Sequence, residues 1–320
     1  MFLGIEIGGT KLQLGLGHGD GHIAALWRGT VNPSEGGEGI RKQIVAAVPE
    51  LFAKANTDPG TLKGVGIGFG GPTDDRSRTV IKSHQIQGWD GFPLADWVSD
   101  LVGAPAVLCN DADVAGLGEA LFGAGKGLSP IFYITVGTGV GGGLIIDGQI
   151  YRGVGRGAAE IGHLKVRDWR EYSELAITDL EEVASGWGIA NNMGEHLASE
   201  VEARSTSLLG EIPRKALTTK HVADAAQRGD KLAADVLNCA IGSIAEAVSQ
   251  LITLLCPQRI VIGGGVSLMG EELFFAPLRR MVEERTFSPF AGLTDIVPAA
   301  LGEEVVIHGA LALARQKLGG

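Results

Sequence analysis

The chain has 320 residues, which is long for one hydrophobic core and sufficient for two lobes. Hydrophobic residues make up 45% and charged residues 20%, so the composition is that of an ordinary soluble globular protein. The net charge of -10 at pH 7 argues against binding to polyanionic surfaces, and we expect no nucleic-acid partner and no membrane partner.

The N-terminus enters a strand pattern at Phe2, without the basic segment or long apolar run of a targeting signal. Three cysteines, Cys109, Cys239 and Cys256, are widely spaced in apolar surroundings. This spacing predicts buried thiols in a reducing compartment rather than a disulfide framework. Both features predict a cytoplasmic protein.

The first part of the chain predicts strands that alternate with helices. The predicted elements are strands over 2–7, 12–16 and 23–27, a helix over 39–55, strands over 64–69 and 80–81, a helix over 93–101, a strand over 106–109 and a helix over 112–122. Such alternation is typical of a mostly parallel α/β sheet.

A glycine-containing stretch, 123–129, ends this run and predicts the start of a second lobe. The strand over 131–136 then meets the turn Gly137-Thr138-Gly139, as the first strand meets Gly8-Gly9-Thr10-Lys11. This weak internal symmetry predicts a duplicated fold with two facing phosphate loops. The remaining predicted elements are a long amphipathic helix over 230–255, a strand over 259–262 that ends in Gly263-Gly264-Gly265, a helix over about 270–285 and a final helix over 309–318.

Asp111 is the candidate catalytic base, because it follows a predicted strand and stands between the two glycine turns in the sequence. A sugar hydroxyl is a poor nucleophile, so a carboxylate must orient it and accept its proton during phosphoryl transfer. The alternative is that Asn110 or Asp111 only caps the following helix. One of the two can cap while the other catalyses.

The glycine turns at strand ends are candidate phosphate sites. Backbone N–H groups in the turns 8–11 and 137–139 can surround phosphate oxygens, and their threonine hydroxyls are further donors. Any one of these turns is more often a plain hairpin turn. A third glycine run, 263–265, also ends a predicted strand. The interpretation as plain hairpin turns is therefore less convincing for the three glycine segments together.

Gly137, Gly139 and Gly142 also match the GxGxxG pattern of dinucleotide-dependent oxidoreductases. That pattern must open a helix, whereas residues 144–148 predict a strand with a turn. A Walker A loop is excluded because the sequence contains neither Gly-Lys-Ser nor Gly-Lys-Thr.

Together these motifs resemble the ROK family (repressor, open reading frame, kinase) of ATP-dependent sugar kinases. The resemblance spans nearly the whole chain and rests, in order, on GIEIGGTK at 4–11, GGPTD at 70–74, NDA at 110–112, LGEALFGAG at 117–125, GTGVGG at 137–142, AEIGH at 159–163, LE at 180–181 and ASG at 184–186. It implies a two-lobed, actin-like ATPase fold of the α/β class, related to ribonuclease H, with duplicated mixed sheets flanked by helices. The implied lobes are residues 1–122 with 303–320, and residues 123–302.

The resemblance also implies roles for individual residues, with Asp111 as the catalytic base. The residues implied to bind sugar are Gly71, Asn110, Asp111, Glu160, His163 and Glu181. The residues implied to bind ATP with Mg²⁺ are Glu6, Gly8, Gly9, Thr10, Lys11, Gly137, Thr138, Gly139, Gly263, Gly264 and Gly265. Taken alone, His163 is more often a structural or surface histidine, and Glu181 a solvated helix residue.

The chain departs from the family pattern at its zinc site. Family members usually bind zinc through the counterpart of His163 and three cysteines, where this chain has Tyr172, Glu174 and Asp179. A thiolate-rich tetrahedral site cannot form from these residues, so we predict no structural zinc.

Three further departures concern the sugar and the metal. Glu6 stands where aspartate is usual, and glutamate can serve a hydrated Mg²⁺ at a greater reach. Asp113 replaces a usual asparagine, and His84-Gln85 stands where the family often has asparagine near the sugar. These last two changes bear on sugar specificity.

The sequence therefore predicts a kinase that transfers the γ-phosphate of Mg-ATP to a hexose hydroxyl, with the 6-hydroxyl of glucose or a related aldose as the expected acceptor. The resemblance also implies a homodimer. A sugar-sensing repressor is one alternative, but those family members carry a helix-turn-helix domain ahead of the first strand, which here starts at Phe2. A non-catalytic sugar- or nucleotide-binding protein is the other, because of Glu6 and the missing cysteines.

Overall fold

The computed structural model describes residues 1–74, 76–83, 86–155, 157–168, 176–199 and 201–319, without the side chains of 201–203. The strands are β1 (Phe2–Ile7), β2 (Lys11–Gly17), β3 (Ile23–Thr30), β4 (Gly64–Phe69), β5 (Thr73–Asp74), β6 (Thr79–Val80), β7 (Ala106–Asn110), β8 (Ile131–Val136), β9 (Val140–Ile146), β10 (Gln149–Ile150), β11 (Lys165–Arg167), β12 (Ile177–Asp179), β13 (Arg259–Gly263) and β14 (Asp295–Pro298). The α-helices are α1 (Gly36–Lys54), α2 (Leu94–Val102), α3 (Asp111–Phe122), α4 (Leu180–Ala184), α5 (Gly186–Ser199), α6 (Val201–Thr206), α7 (Thr219–Gln227), α8 (Lys231–Leu255), α9 (Ala276–Arg285) and α10 (Val305–Leu318).

The chain divides into two units. The first unit contains residues 1–133, 143–159 and 299–320, and the second contains residues 134–142 and 160–298. The lobe boundaries inferred from the family resemblance, with a division after residue 122, stay a prediction.

The first unit contains a mixed sheet in the order β3-β2-β1-β4-β7. The pairs β1/β2 and β2/β3 are antiparallel, as the predicted meander requires, whereas β1/β4 and β4/β7 are parallel. The register pairs Ile7 with Phe69 and Phe69 with Asn110. Because the carboxyl ends of these three parallel strands meet at one edge, the residues that follow them lie there together.

Helix α10 packs against this sheet and against α3 with very close backbone contact. A Cβ atom on Gly66 would lie 1.9 Å from the carbonyl oxygen of Ala310, and one on Gly309 would lie 1.7 Å from that of Val114. Only glycine allows such an approach. The helix begins at Val305, four residues before the predicted start, because buried Val306 and Ile307 extend its apolar face.

A fully buried carboxylate on α3, that of Glu119, joins distant backbone segments of the first unit. Oε2 accepts a hydrogen bond from the N–H of Ala124 (2.7 Å), and Oε1 accepts from the N–H groups of Ala300 (2.9 Å) and Leu301 (2.8 Å). Glu119 thus connects the residues that follow α3 to the residues that lead into α10.

Replacing Glu119 with glutamine is expected to lower the free energy of unfolding by about 2 kcal/mol. The NH2 group of glutamine cannot accept a hydrogen bond, so it leaves the N–H of Ala124, or those of residues 300–301, without this acceptor. Urea denaturation measures the effect. The matched control is Glu50→Gln, since Glu50 is exposed and its carboxylate accepts an exposed hydrogen bond from Trp27. A loss for Glu119→Gln no larger than that of the control would contradict the role we give to this carboxylate.

The second sheet has the order β10-β9-β8-β13-β14, with β13 and β14 parallel. Strand β9 follows the glycine turn directly, which confirms that a strand rather than a helix comes after Gly142. Asp147 and Gly148, with φ of 50° and 71°, form the tight turn from β9 to β10. This geometry excludes the helix N-terminus that a dinucleotide fingerprint would need.

Helix α8 is the principal helix of the second unit. Asp230 caps it by accepting from the N–H of Ala233 at 3.1 Å, and Cys256 ends it with φ of 40°. By length and composition α8 could cross a membrane, but 72% of its apolar window is buried within the protein. Such burial is typical of a core helix. Cys109 is buried as predicted, whereas the prediction is wrong for Cys239 and Cys256, which are only half-buried.

The sequence did not predict helices α5 to α7. Helix α5 contains Gly186, Gly188 and Gly194, which weaken intrinsic helix propensity. Close packing explains two of these glycines: a Cβ on Gly188 would lie 2.4 Å from the carbonyl oxygen of Glu182, and one on Gly194 would lie 2.8 Å from Cγ of Arg214. Local propensity therefore understates the helix content of this region.

Candidate functional site

Asn110 and Asp111 lie at the sheet edge of the first unit, where β7 becomes α3. Oδ1 of Asn110 accepts from the N–H of Ala112 (2.9 Å) and of Asp113 (3.4 Å), and its Nδ2 donates to the carbonyl of Gly71 (3.2 Å). Asn110 therefore caps the helix. The half-buried Asp111 is the first residue inside the helix and is not its cap.

Gly70 and Gly71 follow β4 at the same edge. The N–H of Gly70 donates to the carbonyl of Ile7 at 2.8 Å. A Cβ on Gly70 would lie 3.4 Å from Oδ2 of Asp111 and 3.3 Å from the oxygen of Ile7. The loop therefore lies within van der Waals distance of the Asp111 carboxylate.

Glu6 lies on β1 beside this edge, with a relative exposure of 6%. Its Oε1 is 3.0 Å from Nζ of Lys11, which also donates to the carbonyl of Glu303 at 3.2 Å. Burial raises the pKa of Glu6 to about 7, the charges of Asp111 and Glu303 act in the same direction, and Lys11 opposes them. The ammonium of Lys11, predicted to bind phosphate, therefore contacts Glu6 in this structure.

This shifted pKa predicts a pH-dependent stability. The folded protein keeps a proton on Glu6 that the unfolded chain releases near its ordinary pKa of 4.5, so the free energy of unfolding falls as pH rises from 4.5 to about 7. From pH 5 to pH 8, the free energy of unfolding of the Glu6→Gln variant is therefore expected to fall by about 2 kcal/mol less than that of the parent.

Urea unfolding of the parent and of Glu6→Gln at both pH values measures this difference. Titrating groups that do not interact with Glu6 are common to the two proteins and cancel. Glu50→Gln, which removes an exposed carboxylate of the same unit, should change with pH in parallel with the parent. Equal pH dependence of Glu6→Gln and the parent would show that Glu6 keeps an ordinary pKa.

In the second unit, the turn 137–139 is held by Glu181 at the start of α4. Oε2 of Glu181 accepts from the N–H of Val140 at 2.8 Å, and a Cβ on Gly139 would lie 2.3 Å from this oxygen. The carbonyl of Gly137 accepts from the N–H of Gly186 at 2.8 Å. One carboxylate oxygen of Glu181 therefore supports the glycine turn.

Glu160 precedes a short 3₁₀ helix, Ile161–His163, and His163 is its last residue. A Cβ on Gly162 would lie 2.1 Å from the carbonyl oxygen of Val140, so only glycine fits there. Leu180 donates to the carbonyl of Leu164 at 3.0 Å, which joins this helix to the start of α4. Glu160 and His163 are exposed, and Glu181 is half-buried.

Gly264 lies beside the end of β8. It has φ of 87°, and a Cβ there would lie 2.5 Å from the carbonyl oxygen of Val136. The glycine run 263–265 thus packs against the strand that leads into the turn 137–139. The second unit brings its two predicted nucleotide-binding glycine segments together, and the first unit brings Glu6, the loop 70–71 and Asp111 together.

Sequence reasoning missed Arg152, which holds the residue two positions after Asp111. Nη1 of Arg152 is 2.5 Å from Oδ2 of Asp113, and the two side chains are 13% and 2% exposed. Nη2 of Arg152 lies 3.4 Å from both the carbonyl and Oγ1 of Thr73. The sequence feature that could have indicated such a partner is Asp113 itself, since a carboxylate in an apolar helix needs a cationic partner.

The zinc prediction concerns residues largely outside the described part of the chain. Tyr172 and Glu174 lie outside it, as does His84-Gln85, and Asp179 pairs with Lys165 at 2.7 Å. Among the residues that the structure describes, no group of three or more His, Cys, Asp or Glu side chains is arranged to hold a metal ion. The absence of zinc stays a prediction.

Glu6 and Asp111 fit a hydrated Mg²⁺ by their chemistry. Both are carboxylates, and oxygen is the ligand that Mg²⁺ prefers. Oε2 of Glu6 is buried and has no hydrogen-bond partner within the described ranges, so it can accept a bond from a metal-bound water.

Comparison with known proteins gives a consistent result. The ROK family model matches residues 2–317. The chain is 32% identical over 319 residues to a glucokinase of Thermotoga maritima, covering 99% of this chain and 98% of that protein. It is also 27% identical over 318 residues to a xylose repressor of Caldicellulosiruptor bescii, and this match covers 97% of this chain and 77% of that protein.

A solved structure also matches: a ROK family glucokinase from Streptomyces griseus in complex with glucose and AMPPNP. It has a TM-score of 0.79 and 32% identity, and the match covers 98% of this chain and 99% of that one. This likeness confirms the predicted actin-like α/β fold with mixed sheets. The family match over nearly the whole chain confirms the resemblance in the sequence motifs. The chain belongs to the ROK family.

Proposed function

We propose that this protein is an ATP-dependent sugar kinase that transfers the γ-phosphate of Mg-ATP to a hexose hydroxyl, with the 6-hydroxyl of glucose or a related aldose as the acceptor. The observation that carries the proposal is the position of Asp111. Asn110 makes the helix cap, and the carboxylate of Asp111 lies at the edge where the glycine segments that follow β1 and β4 also lie. The relatives named glucokinase support the choice of acceptor.

In the proposed reaction, Asp111 accepts a hydrogen bond from the acceptor hydroxyl and takes its proton as the phosphoryl group is transferred. Asn110 aligns this carboxylate by fixing the start of α3 and the carbonyl of Gly71. Backbone N–H groups and the hydroxyl of Thr10 would donate to phosphate oxygens. Mg²⁺ bound to ATP would supply compensating positive charge, and Glu6 would hold it through water.

The second unit would contribute the remaining contacts. The turn Gly137-Thr138-Gly139 would bind phosphate oxygens through the N–H groups of Thr138 and Gly139, since the N–H of Gly137 donates to the carbonyl of Gly139 at 2.8 Å. Gly263 to Gly265 would lie near the adenosine. Glu160, His163 and Glu181 would bind sugar hydroxyls, because carboxylate and imidazole groups together accept and donate hydrogen bonds. For Glu181 this role would use Oε1, since Oε2 holds the N–H of Val140.

A second candidate is a sugar- or nucleotide-binding protein of the same family without kinase activity. The ion pair between Glu6 and Lys11 favours it, because this pair neutralises the carboxylate that would otherwise serve Mg²⁺. The xylose repressor among the relatives shows that the family includes regulators.

The test is ADP release from Mg-ATP with glucose, mannose, fructose, N-acetylglucosamine and N-acetylmannosamine. Saturable release that requires one of these sugars supports the kinase, and the sugar with the highest kcat/KM is its expected substrate class. Sugar binding by calorimetry without ADP release supports the second candidate instead. Sedimentation of the same preparation tests the homodimer that we propose from the family.

A further inference from the structure

A cavity of about 330 Å³ lies in the first unit, bordered by β7, β10 and the last turns of α10. Three cationic side chains, Arg78, Arg152 and Lys317, line it, and among the described residues no carboxylate does. They come from three places: the segment before β6, the segment after β10 and the last turn of α10. Local sequence does not place them together, so the fold creates this basic site.

Two of the three cations already pair with a carboxylate, one in a buried pair and one in a pair whose side chains are 41% and 57% exposed. The guanidinium of Arg152 is anchored by Asp113 and Thr73, and Nε of Arg78 lies 2.9 Å from Oδ1 of Asp96. Gln316 donates to the carbonyl of Gly148 at 2.9 Å, which fixes the end of α10 over the β9–β10 turn. Arg78 has φ of 58°, a conformation that residues with a side chain rarely adopt.

The lining also has a large apolar part. Leu108, Ile150 and Leu313 form walls next to the cations, with Gln149 as an amide donor and acceptor. A guanidinium matches the geometry of phosphate oxygens, and an ammonium adds a point charge. A volume above 300 Å³ is within the usual range for small-molecule sites and exceeds what a free inorganic ion needs.

We propose that this cavity binds a small phosphate ester of sugar size, with its phosphate on Arg78 and Lys317 and its carbon skeleton on the apolar walls. Its cations differ from the residues proposed to bind ATP and sugar. The proposal does not depend on the proposed kinase activity, since binding alone tests it.

The test is isothermal titration calorimetry of the full chain without ATP or free sugar, with glucose 6-phosphate, inorganic phosphate and glucose as separate probes. Glucose 6-phosphate is expected to bind more tightly than either of the others. Lys317→Gln and Arg78→Gln are each expected to weaken its binding by at least about tenfold. The control is Arg315→Gln, which removes a cation from the same helix at a side chain that donates to the carbonyl of Gly19.

The two cavity variants distinguish binding in this cavity from binding at the proposed kinase site. Glucose 6-phosphate binding that Lys317→Gln and Arg78→Gln leave unchanged would overturn the proposal, because the ligand would then occupy another site. Equal affinity for inorganic phosphate and glucose 6-phosphate would also overturn it, since the apolar walls would then contribute nothing. Lys317 is exposed, so its variant is expected to keep the thermal midpoint of the parent.

Discussion

The Asp111→Asn variant is expected to lose about 10²- to 10⁴-fold in kcat for sugar-dependent ADP release. The amide keeps the size of the carboxylate but cannot accept the proton of the acceptor hydroxyl. Because Asn110 supplies the helix cap, the Asp111→Asn variant is expected to keep this cap. Sugar affinity by calorimetry is therefore expected to change much less than kcat, and steady-state kinetics with Mg-ATP measures the loss.

Asp100→Asn is the matched control, because it makes the same chemical change at an exposed position on α2 in the same unit. Its kcat should equal that of the parent. If Asp111→Asn retained kcat within about tenfold of the parent, Asp111 would not be the general base. If both kcat and folding were lost, the fold would depend on Asp111, and the helix-cap argument would be wrong.

The Arg152→Met variant is expected to lower the free energy of unfolding by about 3 kcal/mol. It removes the guanidinium that lies 2.5 Å from Asp113 and leaves that carboxylate buried without this partner. The double variant Arg152→Met with Asp113→Asn should recover most of the loss, because it removes the buried charge as well. Urea denaturation of the parent, both single variants and the double variant gives the coupling between the two residues.

Arg28→Met is the control for this cycle, since Arg28 pairs with Glu304 at the surface with 52% of its side chain exposed. Its expected cost is below about 1 kcal/mol. A cost of Arg152→Met no greater than that of Arg28→Met would show that the buried pair contributes little. A double variant as unstable as Arg152→Met alone would show that the cost does not come from the unpaired carboxylate.

The pattern of strands, helices and glycine turns was predictable from sequence because it depends on neighbouring residues. Period-2 apolar runs predicted β1, β2 and β4, and helical spacing predicted α1 and α8. The glycine-rich α5 was not predictable, because its glycines lower helix propensity and are required by close packing, such as that of Gly194 against Arg214. Local propensity carries no information on such packing.

The candidate site was predicted in part. Asp111 stood out through the motif around it, and the sequence left open whether it or Asn110 capped the helix. Side-chain hydrogen bonds in the folded chain assigned the cap to Asn110. Likewise, the sequence predicted that Lys11 belongs to a phosphate-binding turn. Only the structure shows that its ammonium group contacts the carboxylate of Glu6.

The sequence by itself determined the family, the α/β alternation and the candidate base, because motifs and periodicity are local properties of the chain. Only the tertiary structure decided which charges are buried together. Arg152 is 39 residues from Asp113, and Ala300 is 181 residues from Glu119. Such pairs form because a buried carboxylate must find donors wherever the fold provides them, and no spacing rule specifies where in the chain those donors lie.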